Sequence, residues 1–171
     1  MSSLLGLPNM SATLYYGRLL STLKLGLVFM LACTLSVQAQ DSPNPRLPSI
    51  TIQAGIHLID AEVAADIGTR AKGLMHRTKL GNNLGMLFVF EQKAQHCFWM
   101  RNTLIPLSIA FLEDDGTILN IENMQPKSED SHCPLKATRY ALEMDQGWFT
   151  KKGIAVGDRL SAKGLFSAKQ K

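Results

Sequence analysis

The sequence predicts a mostly β protein, namely a small single-domain antiparallel sandwich or barrel of seven to eight short strands with one or two short helices. Short apolar or alternating runs recur along the chain between clusters of Gly, Pro, Asn and Asp, as in all-β domains. An Asp-Gly pair stands between two strand-like runs, which favours a hairpin. At 171 residues the chain is long enough for one domain with its own core.

The first 39 residues have the features of an export signal. Arg18 and Lys24 precede an uncharged apolar run at 25–37, and Val37 and Ala39 fit the small residues that a signal peptidase recognises. The run is shorter than the roughly 20 residues that a membrane-spanning helix needs. We therefore predict cleavage after Ala39, export to the periplasm or extracellular space, and no membrane span after cleavage.

Two alternatives to simple cleavage stay open from the sequence. An uncleaved anchor is disfavoured by the short apolar run, and a lipoprotein signal ending at Cys33 is disfavoured because the run continues beyond it. Removal of residues 1–39 takes away two of the 18 basic residues and leaves 16 against 14 acidic ones. This near balance, without a basic stripe interleaved with aromatic residues, predicts that nucleic acid is not a partner.

The mature chain divides into a linker, a domain and a tail. Residues 40–49 contain three prolines and no helical or strand period, which predicts a linker. The β domain is expected at residues 50–165, followed by a basic tail at 166–171. Its first part, 50–63, is expected to form one or two strands that break at Gly55.

The remaining elements follow in order. Asp66 is placed to cap a short helix over Ile67–Lys72, with Gly73 just beyond its end. The Asp115-Gly116 pair predicts a type I′ turn, which needs a positive φ at both residues. The other expected elements are strands at 85–90, 98–101, 107–113, 117–122, 139–144 and 154–162, the last interrupted at Gly157-Asp158, and a short helix or turn at 146–152.

Several blocks stand in an order that resembles the "domain of unknown function 192" family over roughly residues 56–160. They are GLMHR (73–77), GMLFVF (85–90), FWMRNTLIPLSIAF (98–111), Met124 with Pro126, RYALEM (139–144) with Gly147, and VGDRL (156–160). The resemblance implies a small, mostly β domain that is often exported and has no established reaction. Ser108 stands where the family frequently has aspartate, which weakens any role for a carboxylate there.

Cys97 and Cys133 are the cysteines that remain after cleavage, and in an oxidising compartment such a pair predicts a disulfide. Closing this loop would stabilise the fold by about 4 kcal/mol on the chain-entropy estimate. A metal site is the alternative, because His96 precedes Cys97 and His132 precedes Cys133. Adjacent side chains of a strand point to opposite faces, so His96 and Cys97 should not converge. We therefore expect neither a metal nor another cofactor.

The candidate ligand-binding residues combine an aromatic ring, hydrogen-bonding groups and charges in blocks that flank loops. They are Arg70, Arg77, Trp99, Asn102, Thr103, Arg139 and Glu143. We expect Trp99, Asn102 and either Arg77 or Arg70 to border one concavity that takes an anionic group, since arginine binds such groups bidentately.

Each candidate also has a structural interpretation. One of Trp99 and Met100 can pack in the core and the other on a second face, and Asn102 and Thr103 can clamp a turn. Arg139 and Glu143 are four apart on one strand and should share a face, with an ion pair to Arg70 or Arg77 as the expected structural role.

These patterns predict a non-catalytic periplasmic binding or accessory module for an unknown small molecule or envelope component. The sequence contains no Ser-His-Asp ordering, phosphate loop or H-E-x-x-H motif. An envelope-associated enzyme of unknown type is one alternative. A metal-handling protein that uses His96, Cys97, His132 and Cys133 is the other.

Overall fold

The structure is a computed structural model that describes residues 42–166. The predicted export signal, its cleavage after Ala39 and residues 167–171 of the predicted tail lie outside the described residues. Within 42–166, no helix has the length and apolar character needed to span a bilayer.

The domain is one seven-stranded sheet, curled into a half-barrel, with two short helices. The strands are β1 (Ser49–Ala54), β2 (His57–Ala64), β3 (Leu84–Ala94), β4 (Leu107–Leu112), β5 (Ile118–Met124), β6 (Thr138–Asp145) and β7 (Leu160–Ser161), and the helices are α1 (Ile67–Lys72) and α2 (Trp148–Lys151). Their order across the sheet is β5-β4-β6-β3-β2-β1-β7. The predicted mostly β class is confirmed.

All neighbouring strands are antiparallel except β2 and β3, which run parallel. A parallel pair cannot be joined by a tight turn, because the chain must return to the starting end of the sheet. Residues 65–83 make this return and include α1. After α1, this connection contributes Leu74 and Leu80 to an apolar cluster on one face of the sheet.

Helix α1 forms where the sequence predicts it, and its ends explain why. The Asp66 carboxylate accepts a hydrogen bond from the Thr69 backbone N–H at 2.9 Å, and the Thr69 hydroxyl accepts one from the Asp66 N–H at 3.3 Å. This reciprocal capping box satisfies N–H groups that have no partner within the helix. Gly73 ends the helix with a φ of 47°, a conformation that glycine adopts without a steric penalty.

Both faces of the sheet are covered by apolar side chains. Leu87, Leu142 and Leu112 belong to the cluster on one face, together with Trp148 and Phe149 of α2. The second cluster, beneath α1 and the segment 98–106, contains Leu74, Met86, Phe88, Met100, Ile105, Leu107, Ile109, Phe111, Met124 and Ala141. Strands β4 and β6 and the first half of β3 are therefore buried on both sides.

One predicted strand is wrong, and another is shorter than predicted. Residues 98–101 form only an isolated bridge between Phe98 and His132, because the segment lies over the second cluster rather than beside another strand. The predicted strand at 154–162 is reduced to Leu160–Ser161, since the Asp158 carboxylate accepts from the Ala155 N–H at 2.8 Å and closes a turn.

The hairpin between β4 and β5 is present, but the predicted type I′ turn is wrong. Gly116 has a φ of 86°, whereas Asp115 is not among the described residues with positive φ. The Gly116 N–H donates to the Glu113 carbonyl at 2.9 Å, so the turn is closed one residue earlier. A turn followed by a left-handed glycine is the alternative hairpin connection, and it needs positive φ at only one position.

The segment 42–48, part of the predicted linker, is held against the domain. The side chain of Asn44 is buried and donates to the Gly73 carbonyl at 2.9 Å. The Val63 N–H donates to the Pro48 carbonyl at 2.9 Å, and the Leu47 N–H donates to the Glu62 carboxylate at 2.8 Å.

The predicted disulfide between Cys97 and Cys133 is present, with the two Cα atoms 4.3 Å apart. It joins the segment after β3 to the loop before β6. Beside it, the Phe98 N–H donates to the His132 carbonyl at 2.8 Å, and the His132 N–H donates back to Phe98 at 2.9 Å. The bridge and the two hydrogen bonds fix the chain on either side of Phe98.

Candidate functional site

A cavity of about 460 Å³ lies between α1, the middle of β3 and the segment 95–99; we call it the α1 cavity. Ligand pockets typically have volumes of about 300–1,000 Å³. Its lining residues are Arg70, Ala71, Lys72, Gly73, Leu74, Met75, Phe88, Phe90, Gln95, His96, Cys97, Phe98, Trp99, Thr103 and Glu143. They come from the β2–β3 connection, from β3 and β6, and from the segment 95–99 that contains the disulfide residue Cys97, so parts of the chain that are distant in sequence form its walls.

Glu143 of β6 is the sole carboxyl group that lines the α1 cavity. Its residue is 5% exposed, and its cross-strand neighbours on β3 and β4 are the apolar Met86 and Ile109. Burial alone raises the pKa of Glu143 to about 8, because no hydrogen bond or neighbouring cation stabilises the ionised form. A buried carboxyl group that lacks a protein partner is costly and points to a function at this position.

Thr103 is a second buried polar residue of the cavity. Its backbone is engaged, since its N–H donates to the Met100 carbonyl at 2.9 Å and its carbonyl accepts from the Lys127 N–H at 3.1 Å. No hydrogen bond of the Thr103 hydroxyl occurs within the described residues. Two buried polar side chains are thus available to a bound molecule.

Aromatic rings form the apolar part of the wall. Phe98 packs edge-on against Phe88, with ring centroids 4.9 Å apart, and contacts Phe90 at 6.2 Å. The ring of His96 lies parallel to Phe90 at 3.6 Å, and the His96 Nε2 atom is 3.1 Å from the Gln92 carbonyl oxygen. These contacts give the wall one rigid arrangement.

Arg70 and Lys72 of α1 are the cationic residues of the wall. One guanidinium nitrogen of Arg70 donates to the Ala65 carbonyl and to the Val89 carbonyl, the latter at 3.0 Å. The guanidinium carbon lies 5.1 Å from the centroid of Phe90. The remaining N–H groups of Arg70 have no partner among residues 42–166.

Trp99 stands at the edge of the cavity and is 49% exposed. The guanidinium carbon of Arg101 lies 5.5 Å from the Trp99 ring centroid. Met100, the neighbour of Trp99, is 1% exposed and belongs to the second cluster, so one of the two residues packs in the core and the other lies on a different face, as the structural interpretation expects. An exposed aromatic ring beside a cavity is a surface on which a ligand can stack.

The structure brings together four of the seven predicted site residues. Arg70, Trp99, Thr103 and Glu143 line the α1 cavity, whereas Arg77, Asn102 and Arg139 do not. The expected concavity therefore contains Trp99 and Arg70 but not Asn102. Whether these residues bind a ligand remains a prediction.

The three residues outside the cavity have structural contacts. Arg77 binds the carboxylate of Glu62 with two nitrogens. The carbonyl of Asn102 accepts from the His76 N–H at 2.9 Å, which joins the segment after α1 to the segment before β4. Arg139 pairs with Asp114 at 3.2 Å.

The expected ion pair between Glu143 and Arg70 or Arg77 is wrong, since the ion pairs of residues 42–166 do not include Glu143. Arg139 and Glu143 do lie on the same side of β6. That side is not polar, because Leu74, Met100 and Ile105 belong to the apolar cluster that covers it.

The four residues of the metal alternative do not form a metal site in this structure. The disulfide engages both sulfurs, so neither is a free thiolate ligand. His132 instead places its Nδ1 atom 2.7 Å from the Glu122 carboxylate. Among the described residues, no group of three or more His, Cys, Asp or Glu side chains is arranged to hold a metal ion.

The sequence analysis missed the contribution of Phe88, Phe90, Phe98 and Lys72 to the cavity wall. The phenylalanines lie in apolar runs whose ordinary role is the core, and one of them, Phe88, is part of it. Lys72 is the last residue of a helix, where a cation is common.

Comparison with known proteins identifies relatives but no activity. The model of the family DUF192, described as "Uncharacterized ACR", matches residues 49–162. A crystal structure from Sinorhizobium meliloti 1021, named "a putative transcription regulator", is 33% identical, with a TM-score of 0.68 over 71% of this chain and 99% of that chain. A protein of unknown function from Novosphingobium aromaticivorans DSM 12444 is 32% identical, with a TM-score of 0.62 over 74% of this chain and 98% of that chain. No curated protein matches the chain.

Proposed function

The chain belongs to the DUF192 family, whose description assigns no reaction, and we propose that it is an exported module that binds a small molecule in the α1 cavity without transforming it. The observation that carries this proposal is the buried carboxyl group of Glu143, which faces an aromatic-walled cavity without a partner from the protein. A ligand that supplies this partner would offset the cost of burying the group.

Two features of the chain support export, namely the sequence of its first 39 residues and its disulfide. The first 39 residues have the charge and apolar pattern of a cleaved signal. The Cys97–Cys133 disulfide is compatible with an oxidising compartment, where such bonds persist. We infer a periplasmic or extracellular location for the mature chain.

A purely binding role is favoured over catalysis by the composition of the cavity. General acid–base chemistry on a small substrate usually needs two groups that titrate in one cleft. His96 and Glu143 both line the α1 cavity, but the His96 ring stacks on Phe90 and its Nε2 atom is 3.1 Å from the Gln92 carbonyl oxygen. Glu143 is left as a lone carboxyl group, so the alternative of an envelope enzyme is the weaker one.

The name of the S. meliloti relative describes that protein and is a weak guide here. After the proposed cleavage this chain has 16 basic and 14 acidic residues, so it lacks the excess of positive charge with which proteins bind nucleic acid. A small molecule or an envelope component is the more consistent partner.

The site assignment is tested by blocking the cavity without disturbing the core. Ala71 is exposed and lines the cavity, whereas Ile67 is exposed on the same helix and does not. Ala71→Trp and the matched control Ile67→Trp are compared with the wild type by ligand-observed NMR, using a panel of neutral, cationic, anionic and zwitterionic fragments. We expect fragments that bind the wild type and Ile67→Trp to lose binding to Ala71→Trp.

Two results would overturn the proposal. The absence of any fragment binding to the wild type would remove the binding role. Equal binding by Ala71→Trp and Ile67→Trp would place the site elsewhere. Export is checked separately by the intact mass of the protein recovered from the periplasm, which should begin at Gln40; retention of residues 1–39, or a lipid on Cys33, would contradict it.

A further inference from the structure

The α1 cavity contains two basic side chains and one acidic side chain, none of which has an ionic partner within the described residues. Arg70 and Lys72 stand on α1, and Glu143 stands on β6. No ion pair of residues 42–166 includes any of the three. Both cations and the carboxyl group thus remain available to a ligand.

The two signs are separated within the cavity. Arg70 and Lys72 are partly exposed and flank the exposed Ala71 at the outer wall, while Glu143 is buried on the sheet. A molecule that enters past α1 therefore meets the cations first and the carboxyl group last. The aromatic wall formed by Phe88 and Phe98 lies along this path.

We propose that the ligand is an amino acid-like zwitterion with an apolar body, which places its ammonium group against Glu143 and its carboxylate against Arg70 and Lys72. This inference rests on the proposed function, because it names the class of molecule that the α1 cavity binds. A molecule with a single charge would satisfy one end of the cavity and leave the other without a partner.

Each part of such a ligand has a counterpart in the wall. Binding of the ammonium group would displace the proton of Glu143, and its three N–H donors can then serve the carboxylate of Glu143 and the hydroxyl of Thr103 together. The carboxylate can accept from the unused N–H groups of Arg70 and from the ammonium of Lys72. The Phe98 and Trp99 rings offer apolar surface to the body of the ligand.

Competing classes fit less well. A cation without an acidic group would be repelled by Arg70 and Lys72 and would leave both of these side chains without an anionic partner. An anion without an amine would meet Glu143 in its protonated form and could accept one hydrogen bond from its neutral O–H group, which is weaker than the contact of an ammonium group with the carboxylate. A metal ion would find one carboxyl group and no cluster of ligands among the residues described.

The test uses three probes that differ only in their charged groups. Isothermal titration calorimetry on the mature protein compares phenylalanine with phenethylamine, which lacks the carboxylate, and with 3-phenylpropanoate, which lacks the amine. We expect phenylalanine to bind at least about tenfold more tightly than either analogue, since it makes a charge-assisted contact at both ends. Glycine, 4-aminobutanoate and 6-aminohexanoate extend the comparison to other lengths and to ligands without an aromatic ring.

Variants assign each charge to its residue. Glu143→Gln should weaken phenylalanine by about tenfold and leave 3-phenylpropanoate unchanged, whereas Lys72→Gln should weaken phenylalanine and leave phenethylamine unchanged. The exposed residues Glu91 and Lys79 do not line the cavity, so Glu91→Gln and Lys79→Gln are matched controls that should bind like the wild type. Melting temperatures of all four variants establish that each is folded.

The outcomes separate this inference from the proposed function. If a singly charged analogue binds as tightly as phenylalanine, or if no zwitterion binds while another fragment occupies the α1 cavity, the ligand class is wrong and the binding role stands. If Glu143→Gln and Glu91→Gln bind phenylalanine equally, the assigned orientation is wrong. If no fragment binds at all, both the inference and the proposed function fail.

Discussion

Arg77 holds both carboxylate oxygens of Glu62, with N–O distances of 2.6 and 2.7 Å, and both side chains are largely buried. Burial by itself raises the pKa of Glu62, but the hydrogen bonds from Arg77 and from the Leu47 N–H outweigh it and hold the pKa below its ordinary value. The pair therefore joins β2 to the chain beyond α1 and to the segment that precedes β1.

Arg77→Ala should lower the free energy of unfolding by about 3–5 kcal/mol, because it leaves the buried Glu62 carboxylate without its partner. Urea denaturation checks this value. Arg46 is the matched control, since its ion pair with Asp60 is exposed; Arg46→Ala should cost less than about 1 kcal/mol. Equal stabilities of the two variants would show that the Arg77–Glu62 pair does not support the fold.

Glu143 should make the protein less stable as the pH rises. Its pKa is about 8 in the folded chain against an ordinary 4.5, so between these values the folded state binds a proton that the unfolded state has lost. The free energy of unfolding should therefore fall by at most about 1.4 kcal/mol per pH unit in this window. Below and above the window, this group should not change the free energy of unfolding further as the pH varies.

Glu143→Gln removes this titration while keeping the shape of the side chain. Denaturation of the wild type and the variant from about pH 5 to about pH 9 should give a smaller fall in the variant. Glu91→Gln, at an exposed position of β3, should retain the wild-type slope. Parallel curves for the wild type and Glu143→Gln would contradict the raised pKa of Glu143.

The disulfide should contribute to stability through the unfolded chain. Cys97 and Cys133 are 36 positions apart, and on the chain-entropy estimate a loop of this size stabilises the fold by about 4 kcal/mol. Reduction should lower the melting temperature of the wild type and leave a Cys97→Ala/Cys133→Ala double variant unchanged. Alkylation of denatured mature protein should find no free thiol before reduction and two after it; two thiols in the unreduced protein would exclude the bridge.

Substitution of Gly116 should destabilise the protein, because the backbone of Leu160 lies directly beside it. A Cβ atom at this position would lie 2.2 Å from the backbone oxygen of Leu160, whereas one at Gly157 would have no neighbour within 4 Å. Both glycines have positive φ, at 86° and 92°, so both Gly→Ala variants carry the same backbone strain of about 1–2 kcal/mol. Gly116→Ala should therefore lose about 1–3 kcal/mol more than Gly157→Ala in urea denaturation. Similar losses would mean that the Leu160 backbone moves aside without cost.

The parts of the fold that the sequence predicted well are those with a local chemical signal. The Asp66–Thr69 cap defines the start of α1, and Asp115-Gly116 defines the turn region between β4 and β5. The segment 98–101 has strand-like composition but no strand beside it, because the disulfide and the His132 bridge attach it to a loop. The composition of the segment does not show whether another strand lies beside it.

The candidate site was also predicted only in part, because it depends on contacts between segments that are distant in the sequence. Trp99 and Arg70 were expected to share a concavity, and they do. Glu143 was expected to form an ion pair. The alternation of side chains along β6 assigns Glu143 to one face of the strand, but it does not show what packs against that face. The position of β6 between β3 and β4, which buries both faces, follows from the topology of the whole sheet.

The strand order also bears on the timing of folding. The central pair β3–β6 joins Gly85 to Met144, and the pair β1–β7 joins Gln53 to Ser161, so both pairs need nearly the whole domain to be present. Contacts between distant residues form slowly, since a long chain loop must close before they are made. A nascent chain of this design can form the local pairs β1–β2 and β4–β5 early, but it cannot complete the sheet until β6 and β7 have been synthesised. For a chain with the proposed signal, this delay keeps it in the unfolded form that a narrow secretion pore can thread.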